Sequence, residues 1–419
     1  MLVVTSNLAI GDGTLFRAGG RHAALPLLVH RAAIRGGFRN AGTYRPIESL
    51  HLVVAGDTFD WLASAAWCGG VRPWRGGPRA RESLLGIATG SVRAARRLLA
   101  SVTRWIRHGL LVPAADARGR PCGGAVVVPV RVTLLAGDRD CSLADVARHL
   151  PRQLFAIGDS WSDDALTIRH GHDLDPACRR IDGDRAWTSG ARPPTLAESV
   201  GIDLVARFAV AVRRLTPEPP GVGRLLRGLA CSRPVDLPLT VGAWRTAVDR
   251  DGPLSAGQIG LLASTWRRAV SEWVGEASRE VPACEVEFDA VHALAAWLDT
   301  AFHPAEGPIN VPAGIRRLRG GPPLPSGPED SRFRTGAGPR LVLGHFADVS
   351  GGGREGGTVG LAADMDGFPG VEPAPTVLAV RPQGSEIHWE AIMAGEHRPA
   401  IVTIAPCGWD RGNAIVDAA

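Results

Sequence analysis

Leu50-His51-Leu52-Val53-Val54-Ala55-Gly56-Asp57-Thr58-Phe59-Asp60 decides how this chain of 419 residues is read. A short, mostly apolar run reads as a β-strand, and it stops abruptly at a glycine followed by two acids. The same arrangement recurs along the chain. Leu2–Thr5 leads into Ser6-Asn7-Leu8-Ala9, Ala125–Ala136 into Gly137-Asp138-Arg139-Asp140, and Leu166–Ile168 into His170-Gly171-His172-Asp173. A fifth run, Leu341–Leu343, leads into Gly344-His345-Phe346-Ala347. Acids and imidazoles gathered at the carboxyl ends of neighbouring strands are a common way for an α/β sheet to assemble a metal or phosphate site. Each tetrapeptide alone is weak evidence; the ordered set of five is strong.

Two further strand-like runs are Leu154–Ile157 and Thr376–Val380. Helical patterns lie between the runs, most clearly over Glu82–Leu110, where Leu84, Leu85, Ala88, Val92, Ala95, Leu99, Val102 and Ile106 recur every three or four residues. Arg93, Arg97, Arg104 and Arg107 fall mainly on the opposite side and read as a solvated face. This alternation predicts an α/β protein built on a layered sheet. From Pro176 to about Gly338 it stops, and Leu196–Arg214, Val241–Val248, Ser255–Trp273 and Phe288–Phe302 read as helices. Strand-like runs resume at Arg340, so the expected organisation is a core made of residues 1–175 and 339–419, interrupted by a helical insertion over 176–338. Pro217-Glu218-Pro219-Pro220 and Gly320-Gly321-Pro322-Pro323-Leu324-Pro325 punctuate that insertion. Gly351-Gly352-Gly353-Arg354-Glu355-Gly356 spells a dinucleotide-binding pattern, but no amphipathic helix follows it, and it reads as a loop.

Composition narrows the chemistry. With 45% hydrophobic and 21% charged residues the chain is an ordinary globular one, neither disordered nor collagen-like. All 47 of its Lys+Arg residues are arginine, which excludes a Walker lysine, a Schiff-base lysine and a lysine general base. Tyr44 is the one tyrosine. Residues 1–131 carry 18 arginines against six acids, a balance that suits an anionic ligand such as a phosphate ester. A genome that writes every surface cation as arginine explains it equally. The seven cysteines are odd in number and form no C-x-x-C pair, so a reducing cytoplasm is the expected compartment. No cationic segment precedes an apolar stretch at the N-terminus, and no apolar run approaches the ~20 residues of a membrane span, so neither a leader nor a membrane is expected.

The five strand ends resemble the motifs of the calcineurin-like metallophosphoesterases, D-x-H, G-D-x-x-D, G-N-H-[D/E], H and G-H-x-H in that order. The fourth is similar to that of the UDP-2,3-diacylglucosamine hydrolase-like branch. The resemblance covers residues 1–176 and 340–348. It implies a four-layer α-β-β-α sandwich with two divalent metals and a metal-bridging water as nucleophile. The correspondence is incomplete: Asn7 stands for the first Asp, Ala9 for its His, Asp138 for the Asn, Arg139 for the leaving-group His, and Ala347 for the last His. One metal would therefore keep only the bridging Asp57. The other would keep Asp57, Asp138, His170 and His345, a mixed nitrogen and oxygen shell suited to Zn²⁺, Mn²⁺ or Fe²⁺.

Two functions follow from the resemblance. One is a diverged family member that has lost the dinuclear hydrolase site and acts as a binding or scaffold subunit, with or without a metal. The other is a single-metal phosphoester or pyrophosphate hydrolase using Asp57, Asp138, His170 and His345. Arg139 is then either a bidentate clamp on a phosphorylated small molecule or an internal partner for the vacated carboxylates, and His172 is a candidate acid/base group. Trp61, Trp67 and Trp74, interleaved with Gly69-Gly70 and Gly76-Gly77, form either core or a Trp/Arg/Gly loop that, with the helical insertion, would meet a protein partner. Nucleic acid is not an expected partner, since no recognisable module supports it.

Overall fold

The structure is a computed structural model. It describes residues 1–15, 21–39, 42–147, 155–163, 166–178, 190–215, 221–251, 254–280, 285–302, 315, 340–343, 358–360, 376–383, 386–393 and 401–404. The first half contains β1 (Leu2–Thr5), α1 (Arg21–Gly36), β2 (Leu50–Ala55), α2 (Gly77–Ala94), α3 (Arg96–His108), β3 (Leu110–Ala115), β4 (Pro121–Val128), β5 (Val130–Leu135), α4 (Leu143–Val146), β6 (Ala156–Gly158), β7 (Ser160–Ser162) and β8 (Leu166–Arg169). A helical stretch follows: α5 (Leu196–Ser199), a π-helical turn over Val200–Ala206, α6 (Arg207–Arg213), α7 (Val222–Cys231), α8 (Leu237–Asp251), α9 (Ala256–Glu280) and α10 (Glu285–Asp299). The last strands are β9 (Arg340–Leu343), β10 (Thr358–Gly360), β11 (Thr376–Gln383), β12 (Glu386–Met393) and β13 (Ile401–Ile404).

The molecule is a mixed α/β protein. Its larger sheet has the order β13-β12-β11-β1-β2-β5-β6, and a second sheet has the order β10-β9-β8-β7. β1, β2, β5 and β6 run parallel, while β11 pairs with β1 antiparallel. Val3, Val53 and Ala55 are fully buried, as strands covered on both faces require. Each large aliphatic side chain so buried contributes about 1.5–3 kcal/mol of transfer free energy. Within the larger sheet His51 Nε2 meets Thr133 Oγ1 of β5 at 2.9 Å, and the two sheets touch where the His51 ring packs edge-on against Trp161 of β7 at 5.2 Å. After the helical stretch the chain returns to this second sheet, with β9 parallel to β8.

The buried residues form two clusters, one on the larger sheet and its helices, the other drawn mainly from residues 196–315. They are joined by an ionic network. Arg72 pairs with Asp203 and lies 3.4 Å from Glu276, Arg207 reaches Glu276 at 2.7 Å, and Trp74 Nε1 donates to Glu280 at 2.7 Å.

Among the elements that differ from the sequence reading are three in the first half. The helix expected over Glu82–Leu110 is two helices meeting at the buried Ala95. α1 was hidden by Pro26 inside it. The β3–β4 hairpin was hidden because β4 is exposed on both faces until Val128 and so shows no alternation.

Candidate functional site

β1, β2 and β5 are adjacent and parallel, so the segments that follow Thr5, Ala55 and Leu135 emerge side by side. The first two are laced together: Asn7 N donates to Gly56 O (3.2 Å), Ala9 N to Asp57 O (2.9 Å) and Ile10 N to Thr58 O (3.1 Å). Asn7, Ala9 and Asp57 have φ of 52°, 47° and 49°, the positive values found at non-glycine positions among the described residues. The left-handed conformation costs an ordinary residue ~1–2 kcal/mol, and strain of this kind collects at functional sites. Asn and Asp tolerate it; Ala9 has no such excuse. Gly56 and Gly137 are demanded by neighbours, since a Cβ at the first would strike the His170 ring and at the second the Asp57 carboxylate.

His170, at the end of β8 in the other sheet, is 1% exposed and sits between two groups of polar side chains. Its Nε2 lies 3.4 Å from Asp57 Oδ2 and 3.4 Å from Asn7 Oδ1. Its Nδ1 lies 3.1 Å from His172 Nδ1 and 3.5 Å from Asp138 Oδ1. Beyond Asp138 the buried thiol of Cys178 donates to Oδ2 at 3.7 Å. Burial, with Asp138 next in effect, pushes that thiol well above the usual cysteine range.

Arg139 fills the other side. Its backbone N donates to Asp57 Oδ1 (3.0 Å), its Nη1 to Asp60 Oδ2 (3.0 Å) and its Nη2 to the carbonyl of Ser232 (3.3 Å), while Nε stands 3.8 Å from Asp57 Oδ2. Burial disfavours its charge, but Asp60, Asp138 and Asp57 outweigh that and hold it above its ordinary value. Asp60, buried and only partly compensated by Arg139, is raised to about 6. Asp140 accepts from Phe59 N (3.1 Å) and Gly137 N (2.7 Å), and burial together with Asp57 drives it well above the usual carboxylate range. It is a brace between the two loops.

The structure thus brings together Asp57, Asp138, Arg139, His170 and His172. His345 and Ala347 lie outside the described residues, as does the Gly351–Gly356 stretch. Of the four residues read from the sequence as ligands, Asp57 and Asp138 face opposite nitrogens of His170. Among the described residues the other metal position lacks donors, since Ala9 offers none and Arg139 engages Asp57 and Asp60. A single ion does fit, since one ligand atom from each of Asp138, His170 and His172 lies within 4.8 Å of the others. His172, read from the sequence as an acid/base group, stands among the three residues that could hold such an ion. The Trp/Arg/Gly loop is not a rim: Trp61, Trp67 and Trp74 are 1%, 0% and 2% exposed, Arg72 is 2% exposed, and Trp67 Nε1 donates to Trp61 O at 2.7 Å. Aromatic bulk and indole hydrogen bonds make these residues core.

Cys178 was missed by the sequence reading. Its one signal was the compact spacing His170-Gly171-His172-Asp173-Leu174-Asp175-Pro176-Ala177-Cys178. Among the described residues no helix is long and apolar enough to cross a membrane. The chain matches no family model, no curated protein and no solved structure.

Proposed function

We propose that this protein is a binding or scaffold subunit of metallophosphoesterase type, a four-layer sandwich that has lost dinuclear hydrolysis and keeps one divalent metal on Asp138, His170 and His172. The observation that carries this reading is the orientation of His170. A metal-ligating imidazole usually gives its second N–H to a carboxylate, which fixes the tautomer and turns the other nitrogen's lone pair to the ion. Asp57 stands at Nε2, and Asp138 and His172 stand at Nδ1. Asp57 is then a positioning residue and not a ligand. The contact of the two sheets at His51 and Trp161, with the cluster at their carboxyl ends, supports the sandwich. When bound, Zn²⁺, Mn²⁺ or Fe²⁺ would supply a Lewis-acid centre and fix the loop around His172.

Scaffolding is favoured over single-metal hydrolysis because Arg139 is engaged by Asp60, Asp57 and Ser232, which leaves no free guanidinium to clamp a phosphoryl group. Elemental analysis of the purified chain, paired with a phosphodiesterase assay in Mn²⁺, tests both parts. At most one ion per chain and negligible turnover are expected. Asp138→Ala should abolish metal retention, whereas Asp57→Asn should weaken affinity roughly 10–100-fold as removal of an orienting partner does. Two tightly held ions, or turnover at ordinary metallophosphoesterase rates, would overturn the reading.

A further inference from the structure

We infer that the outer edge of β4 pairs with the same edge of a second copy of this chain, which makes the protein a two-fold dimer. The two edges of the β3–β4 hairpin differ. On β3 the carbonyls of Leu111 and Pro113, two residues apart and so on one edge, accept from His30 Nε2 (2.9 Å) and Tyr44 Oη (3.1 Å). In an antiparallel ladder, residues whose polar groups point away from each other form the non-hydrogen-bonded pairs. Leu111 pairs with Val127 and Pro113 with Ala125, so Ala125 and Val127 turn their amides and carbonyls to the outer edge of β4. Among the described residues nothing meets them there. Proteins guard such edges with charge or proline, and Ala125-Val126-Val127-Val128 holds neither. A register shift beside Gly123-Gly124 confines the regular edge to these residues, and Val126, Val127 and the neighbouring Leu111 are 38%, 56% and 58% exposed.

The edge itself selects a second copy. An uncharged apolar edge offers a charged strand no ion pair, but it matches itself. Antiparallel pairing about Val126 sets Ala125 opposite Val127 of the second copy, and each such pair exchanges both of its backbone hydrogen bonds. It also lays the apolar faces that carry Leu111 and Val127 side by side, where they bury each other. Charge agrees with this direction. The turns bearing the exposed Arg118 and Arg120 fall at opposite ends, roughly 35 Å apart at ~3.4 Å per residue, well beyond the ~8 Å screening length of physiological salt. Because His30 and Tyr44 already hold the far edge of β3, no third chain adds there, and the assembly closes at the dimer.

Sedimentation velocity of the full-length chain across the micromolar range should show a reversible monomer–dimer equilibrium. Ala125→Pro removes an amide that the hairpin itself does not use. It should keep the circular dichroism of the natural chain and weaken the dimer at least ~tenfold, since symmetry removes a hydrogen bond from each copy. Val126→Cys sets two thiols across the two-fold axis, with Cα atoms about 4.5 Å apart, and should form an intermolecular disulfide under mild oxidation. The exposed native Cys122, far from its counterpart along the ladder, should not. A chain that is monomeric at every concentration overturns the inference and leaves the edge to a strand of another protein. A dimer that a folded Ala125→Pro leaves intact, or in which Val126→Cys crosslinks no faster than the natural chain, places the interface elsewhere and overturns it too. Growth beyond the dimer overturns the closure at β3.

Discussion

Replacing Arg139 by methionine tests whether the guanidinium holds the carboxylate cluster together. At an effective dielectric of ~20, the 3.0 Å contact with Asp60 and the 3.8 Å contact with Asp57 are each worth about 4–6 kcal/mol before desolvation. Burying the cation offsets much of this, and removing one partner of such a cluster typically costs ~3–5 kcal/mol, because the remaining charges stay buried. Arg139→Met should therefore lose about 4 kcal/mol at pH 7, read from urea denaturation. The loss should shrink on acidification. Asp60 is already raised to about 6 and rises further without the cation, so the folded variant binds more protons than the unfolded chain between neutral pH and pH 4, and its stability climbs as pH falls. A loss under ~1 kcal/mol at pH 7, or an equal loss at pH 5 and pH 7, would refute the claim that Arg139 neutralises Asp57 and Asp60.

Asp203 gives a second pH signature away from the site. Burial raises its carboxyl to about 6 even though Arg72 pulls the other way, so the stability it contributes is present below its ordinary value near 4 and lost as pH rises through about 6. The stability gap between the natural chain and Asp203→Asn should accordingly narrow by up to ~3 kcal/mol from pH 4 to pH 6. A gap that widens would show the ion pair outweighing desolvation. Ala9→Gly removes the cost of a Cβ at φ 47° and should raise stability by about 1 kcal/mol in thermal denaturation; a decrease would mean that the methyl packs better than the backbone strains.

The legible parts of the sequence were those in which side-chain chemistry repeats with the backbone. β1 and β2 coincide with the runs Leu2–Thr5 and Leu50–Ala55, because their residues are almost all apolar and buried. α9 was visible from its apolar period, although it continues beyond Trp273 to Glu280. The β3–β4 hairpin carried no such record, since its outer strand packs against little. At the site, Gly-Asp pairs marked Asp57 and Asp138 because the glycines make room for His170 and for Asp57 itself. Which nitrogen of His170 meets which carboxylate is a product of two sheets meeting, and no local pattern encodes it. Cys178 depends on a turn closed by Arg233, which lies 58 residues from Asp175.

That last contact changes how the helical stretch relates to the site. Ser232 and Arg233 follow α7 directly, and they reach both halves of the cluster: the Ser232 carbonyl accepts from Arg139, and Arg233 holds the buried Asp175 beneath the His172 loop. Burial lowers and Asp175 raises the charge affinity of Arg233, with the balance above its ordinary value, so the guanidinium stays charged across the neutral range. Separating this turn from the sheets would expose two satisfied buried charges to bad company at once, Arg139 losing an acceptor and Asp175 losing its cation. Arg72, inside the first core, likewise depends on Asp203 in the π-helical turn and on Glu276 of α9. Separation of the helical stretch and disordering of the His172 loop are therefore expected to be coupled. An ion that binds only the ordered loop stabilises the docked state by the same free energy, by mass action. Under the function proposed above, a metal would have a use without any turnover.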